Sequence, residues 1–272
     1  MLFINLPITW AAREPRYLDL FLDHNRESAT ALGPELGMDA LAMDSLDAEF
    51  HASLARRLER TGLQCAVHLP FLDLHPASLD PLALEATRER LRRAWELCAL
   101  YRPAHMIGHA AHGELHPQYP EQWIARSRET WEALERLWPD HPPLHLENTY
   151  ERAPEPVAEM VAALDMERVG ICFDVGHWFS FAGGSRSLDP RADLERWLDV
   201  LGPHLTHLHL HDNDGSFDQH LGLGRGRLPL GRLAAALAVR GLRPGLTLEP
   251  HTEAAFHQSL TWLDARPGLF SV

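Results

Sequence analysis

LHLENTYERAPEPVAEMVAALDMERVGICFDV, residues 144–175, is the stretch whose reading decides the fold. Residues 144–148 are a short run that reads as a strand, 155–164 have helical period, and 169–175 read as a second strand. Pro156 falls in the first helical turn, where the N–H it lacks has no intrahelical partner to lose. Strand, helix and strand within about 30 residues make a βαβ unit. The same pattern extends in both directions. Strands are expected at 2–6, 38–43, 64–69 and 105–109 before it, and at 205–211 and 246–249 after it. Helices are expected at 15–24, 47–60, 81–101, 121–138, 155–164, 191–201, 230–239 and 253–263. Eight alternating strands and helices in 272 residues predict one (β/α)8 (TIM) barrel, a single domain over 1–272.

Composition narrows the chemistry. A chain with 45% hydrophobic and 23% charged residues has enough apolar surface for a buried core and no sign of disorder. A formal charge of −13 argues against holding nucleic acid through a broad basic face. No apolar run reaches the ~18 residues that cross a bilayer. The start of the chain has no basic, signal-like region, so a cytoplasmic location is expected. Cys65, Cys98 and Cys172 are too few and too scattered for a disulfide framework or a thiolate cage, and read as buried thiols.

The outlying count is 18 histidines. Barrel chemistry sits where strands end, and those positions read His68, His109, Glu147, Asp174 and Glu249. Strand seven alternates His207, His209 and His211, so all three share one face. His177, Asp218 and His220 follow in the loops. Carboxylates gathered at one barrel mouth repel one another unless cations lie between them, so the clustering predicts bound divalent metal. Nitrogen and oxygen ligands without thiolate suit zinc, manganese or iron. The turn Gly222-Leu223-Gly224-Arg225-Gly226 follows a loop, so it is either an anion cradle with Arg225 as donor or a plain turn.

Val67-His68-Leu69-Pro70-Phe71, Ile107-Gly108-His109, Leu146-Glu147-Asn148-Thr149 and Cys172-Phe173-Asp174-Val175-Gly176-His177 carry a family resemblance. It continues through His209-Leu210-His211-Asp212-Asn213, residues 218–226 and Thr247-Leu248-Glu249. The chain resembles the xylose isomerase-like barrels, in particular the endonuclease IV type (AP endonuclease family 2). It is also similar to a branch that cleaves the nucleotide loop of cobamides. The resemblance implies up to three zinc ions, with Mn2+ or Fe2+ as alternatives. The first would be held by His68, His109 and Glu147, and the second by Glu147, Asp174, His209 and Glu249. His177, Asp218 and His220 would hold the third.

Glu147, Asp174 and Glu249 would be the catalytic carboxylates of a phosphodiester hydrolase acting on a small organophosphate. Bound metals supply acidified water and neutralise phosphoryl oxygens in such chemistry. Arg225, His251, Phe71, Asn148 and His211 are the substrate-facing candidates, with Trp10 and Trp178 as further pocket residues. A single-metal sugar isomerase or epimerase would need only Glu147, Asp174, His209 and Glu249. An abasic-site endonuclease is the third reading. It is disfavoured by Asp44-Ser45-Leu46-Asp47, acidic where an intercalating arginine is expected. A non-catalytic metal-binding barrel is the fourth.

Overall fold

The computed structural model describes residues 1–113 and 118–270. Among them, eight parallel strands close a barrel in sequence order. They are β1 (Leu2–Pro7), β2 (Leu32–Gly37), β3 (Ala66–His68), β4 (Met106–His109), β5 (Leu144–Glu147), β6 (Val169–Asp174), β7 (Leu205–Leu210) and β8 (Gly245–Leu248). Closure is made by β1 on β8, with Phe3 opposite Thr247 and Ile4 opposite Leu248. Parallel neighbours need a crossover, and helices supply it. These are α2 (Arg16–Glu27), α4 (Ala48–Thr61), α5 (Pro81–Tyr101), α6 (Pro120–Leu137), α7 (Glu155–Leu164), α9 (Pro190–Leu201) and α10 (Leu230–Val239), and α11 (Glu253–Asp264) follows β8.

Local chemistry sets the helix ends. The Asp47 carboxylate accepts from Phe50 N at the start of α4, and Gly62 ends that helix at φ +65°, in the left-handed region. Asp80 and Asp189 cap α5 and α9, each followed by a proline in the first turn. Trp95, Trp123, Trp131 and Trp197 lie buried on the faces that α5, α6 and α9 turn to the barrel. Cys65, Cys98 and Cys172 are buried and unpaired, as expected. Among the described residues, no helix is long and apolar enough to cross a membrane.

The second strand departs from expectation. Residues 38–43 do not form it; α3 (Ala40–Ser45) starts there, with the Asp39 side chain accepting from Ala42 N at 2.6 Å. The strand is Leu32–Gly37, whose two glycines and proline hide its pattern. Gly33 is required by packing, because a Cβ at that position would lie 2.3 Å from the Gln64 carbonyl oxygen. The loop that follows β2 at the mouth is therefore residues 38–39. Asp44 belongs to α3 and pairs with Arg90 at 2.6 Å, while Asp47 caps α4. Two more short helices, α1 (Ile8–Arg13) and α8 (Val175–Ser180), follow directly on β1 and β6.

Gly33→Ala should destabilise the protein by about 1–3 kcal/mol, the usual range for overpacking. Urea unfolding checks this, and an unchanged midpoint would mean that β2 does not approach Gln64 this closely.

Candidate metal centre

The strand ends bring the expected ligands together in three contiguous groups. His68 Nε2 and His109 Nε2 each lie 3.2 Å from Glu147 Oε2, and 3.3 Å from one another. Glu147, Asp174, His209 and Glu249 offer ligand atoms that all lie within 4.8 Å of each other. His177, His211, Asp218 and His220 do the same. His211 thus joins the third group, a place the sequence reading did not give it. Its Nε2 lies 3.2 Å from Asp218 Oδ1, and its ring stacks on His220 at 3.9 Å.

Four of the histidines are aimed by oxygens on their outer side. His68 Nδ1 donates to Leu69 O (2.9 Å), His177 Nδ1 to Asn148 O (2.9 Å) and His220 Nδ1 to Glu249 O (2.8 Å). A carbonyl oxygen can only accept, so these bonds fix Nδ1 as the protonated nitrogen and leave the Nε2 lone pair facing inward. His109 Nδ1 is held by Thr149 Oγ1 at 2.7 Å. Asp174 divides its oxygens: Oδ1 caps α8 by accepting from His177 N at 2.7 Å, and Oδ2 has no hydrogen-bond partner.

These residues fit a metal. Buried polar atoms normally find partners. Here Asp174 Oδ2, Asp218 Oδ1 and both ring nitrogens of His209 and His211 are buried without hydrogen bonds. Asp174 Oδ2, Asp218 Oδ1, His209 Nδ1 and His211 Nε2 belong to the two clusters that divalent ions would occupy.

The electrostatics show the same tension. Burial pushes the Glu249 carboxyl up to about 8. Burial also raises Glu147, but the charges of His109 and His209 outweigh it and hold that carboxyl well below the usual range. Asp174 is held at about 2 against burial by His177 and His211. Burial lowers His177 and His209, yet the surrounding carboxylates lift both well above the ordinary imidazole value.

Residues 31–266 match the family model described as xylose isomerase-like TIM barrel, of the AP endonuclease 2 type. The chain belongs to that family. An uncharacterised protein from Methanocaldococcus jannaschii is 29% identical over 184 residues, 62% of this chain, and the chain spans 58% of that relative's length. A Thermus thermophilus protein soaked with ZnCl2 is 27% identical with a TM-score of 0.77, covering 100% of this chain and 99% of its own. Endonuclease IV from the same organism aligns over 97% of both chains at 20% identity and TM-score 0.65. A D-tagatose 3-epimerase-like protein aligns over 97% and 96% at 21% identity and TM-score 0.72. The last two are likenesses of fold.

In this xylose isomerase-like barrel the remaining candidates separate. Phe71 lines the mouth and stacks on His109 at 4.1 Å, and His251 lines it and stacks on His220 at 3.7 Å. Asn148 does not face the cavity. Its amide donates to Asp174 O and accepts from Asp174 N, tying β5 to β6. Arg225 is exposed and is not among the residues lining the cavity. The glycine turn around it is closed by the Asp212 carboxylate, which accepts from Gly224 N and Leu228 N. That arrangement is the plain turn. Trp178 is buried and donates to Asp193, and Trp10 packs on Tyr17, so neither lines the mouth.

Glu35 was missed altogether. It is fully buried on β2, with Oε1 3.2 Å from His209 Nε2. Misplacing that strand removed it from view. A lone Glu between Pro34 and Leu36, in a short segment with glycines at both ends, was the available signal.

The metal-free site favours an extra proton on His177 and on His209, since both are raised well above the ordinary imidazole value. A metal must displace those protons. Zinc binding at pH 7 should therefore release protons, and affinity should weaken as pH falls. Calorimetry in two buffers of different ionisation enthalpy measures the release; equal heats in both would contradict it.

Proposed function

We propose that the chain is a metal-dependent phosphodiester hydrolase holding up to three divalent ions, zinc foremost with Mn2+ or Fe2+ as alternatives. The substrate we assign is a small organophosphate or a nucleotide-loop compound such as a cobamide. One observation carries this reading. Beyond the four-residue set of Glu147, Asp174, His209 and Glu249, two further groups of buried nitrogen and oxygen ligands adjoin it. A sugar epimerase working through one ion has no use for them.

When bound, such ions supply Lewis-acid polarisation of phosphoryl oxygens and an acidified water. The chain's own residues do the rest. Glu147 Oε2 stands within 3.3 Å of His68, His109 and His209, so this carboxylate joins the first and second groups. Asp174 links the second and third through contacts with His177 and His211. Glu249 lines the cavity. Its place in the central group would let it hold an ion beside an attacking water. Phe71 and His251 wall the mouth. The cavity of about 400 Å3 suits a small molecule.

The second reading is a single-metal sugar isomerase or epimerase. It is favoured by the compactness of the Glu147, Asp174, His209 and Glu249 group by itself.

Metal analysis of the purified protein should find two or three ions per chain, with hydrolysis of bis(p-nitrophenyl) phosphate. His68→Ala and His220→Ala should each cost about 100-fold or more, the scale of losing an electrostatic partner of the transition state. One ion, with ketose interconversion that survives both substitutions, establishes the epimerase instead. Incision of abasic duplex DNA with steep salt dependence would move the substrate to nucleic acid. Bound metal without turnover on any of these would leave a binding protein.

A further inference from the structure

Among the six imidazoles of the centre, four have an oxygen on their outer side: Leu69 O, Asn148 O and Glu249 O, which fix the tautomer, and Thr149 Oγ1. His209 and His211 have none, and of these two His209 is the one with a buried carboxylate behind it. His209 has neither a carbonyl nor a hydroxyl in that role, and both of its ring nitrogens lack a formed hydrogen bond. On its inner side, Nδ1 stands 3.3 Å from both Glu147 Oε2 and Glu249 Oε1. On its outer side, Nε2 stands 3.2 Å from Glu35 Oε1, an oxygen that is itself buried and unpartnered.

Glu35 is fully buried and is held from below. Thr247 Oγ1 donates to its Oε2 at 2.7 Å, and His105 Nε2 lies 3.3 Å from the same oxygen. That hydroxyl is held in turn by His207 Nε2 at 2.8 Å. One carboxylate oxygen is thus occupied by the barrel floor, and the other is left for His209. The sheet sets this up: β1 pairs with β2, bearing Glu35, on one side and with β8, bearing Thr247, on the other.

We infer that Glu35 is a positioning residue for His209: it accepts the Nε2–H and turns the Nδ1 lone pair toward Glu147 and Glu249. This rests on the reading of His209 as a metal ligand. Carboxylates behind metal-bound imidazoles orient the ring and raise its basicity, and losing one typically costs 10–100-fold in metal affinity. Glu35 is fully buried and is not among the residues that line the mouth, so it would act through His209.

The three histidines of the floor are not aimed at one common ion. His105, His145 and His207 cluster there, but the rings of His145 and His207 lie parallel within 8° at 5.1 Å. An ion cannot lie in both ring planes of such a stack.

The test is zinc titration of the metal-stripped protein, wild type against Glu35→Gln and Thr247→Val. Cobalt(II) absorption reports the geometry of the site. Glu35→Gln should weaken the tightest zinc step by about 10-fold or more and shift the cobalt bands. Thr247→Val keeps the shape of the floor but frees Glu35, and should weaken the same step by a few-fold. Melting of the metal-free proteins checks that each variant is folded. If Glu35→Gln does not fold, Thr247→Val decides the matter alone. Wild-type affinity and unchanged cobalt bands in a folded variant overturn the role of Glu35 while leaving His209 a ligand. A wild-type protein that binds no zinc overturns the ligand reading, and this inference with it.

Discussion

Glu147 is a carboxylate with 1% of its side chain exposed, and imidazole nitrogens of His68, His109, His177 and His209 stand within 3.3 Å of its oxygens. A buried charge is tolerated only where partners are close and well aimed. Those partners come from β3, β4, α8 and β7, elements remote in sequence, so only the closed barrel can assemble them. Register enforces it: His109 pairs with Glu147 across β4 and β5, and Asp174 with His209 across β6 and β7. A one-residue slip in either ladder would turn these side chains away from the mouth. The polar end is thus the part of the fold with least freedom to vary.

The apolar parts of the chain make that concentration of charge tolerable. Buried tryptophans and leucines fill the space between helices and barrel, while the polar residues are gathered at the strand ends and along the axis below them. Local compromises appear where the ligands need them. His220 sits at φ +49°, in the left-handed region that side chains other than glycine rarely adopt. Its ring bonds to Glu249 O and Asp218 Oδ2, at 2.8 Å each, show what holds it there. Gly176 leaves room for His211, since a Cβ there would come within 2.2 Å of two atoms of that ring. Strain of this kind persists where the surroundings over-determine it.

Much of this was legible in the chain. Periodicity placed α5, α7 and α10 at their observed bounds, because each carries an apolar pattern at helical spacing. The strand-end rule found His68, His109, Glu147, Asp174 and Glu249, because in a barrel the end of a strand is a spatial address. It failed at β2, where Gly33, Pro34 and Gly37 serve close packing and suppress the strand signal. With that strand went Glu35. Asn148 and Arg225 were misjudged for a different reason: whether a polar side chain faces the cavity or braces the wall depends on neighbours that only the tertiary structure supplies. His211 was seen as belonging to the site, but its place beside Asp218 follows from the loop that carries Asp218 back over β7.

The contrast between a hydrolase and an epimerase comes down to the third group. His177, His211, Asp218 and His220 are three buried imidazoles and one partly buried carboxylate, with Asp218 Oδ1 and both His211 nitrogens lacking hydrogen bonds. Leaving such atoms unsatisfied costs about 1–3 kcal/mol each. A barrel that needed one cation could close this corner with apolar side chains and be more stable for it. Keeping it polar, with Asp218 shared between His177 and His220, makes physical sense if a further cation occupies it during turnover. A second and third cation would serve a reaction that builds charge on several oxygens in its transition state, as the proposed hydrolysis does.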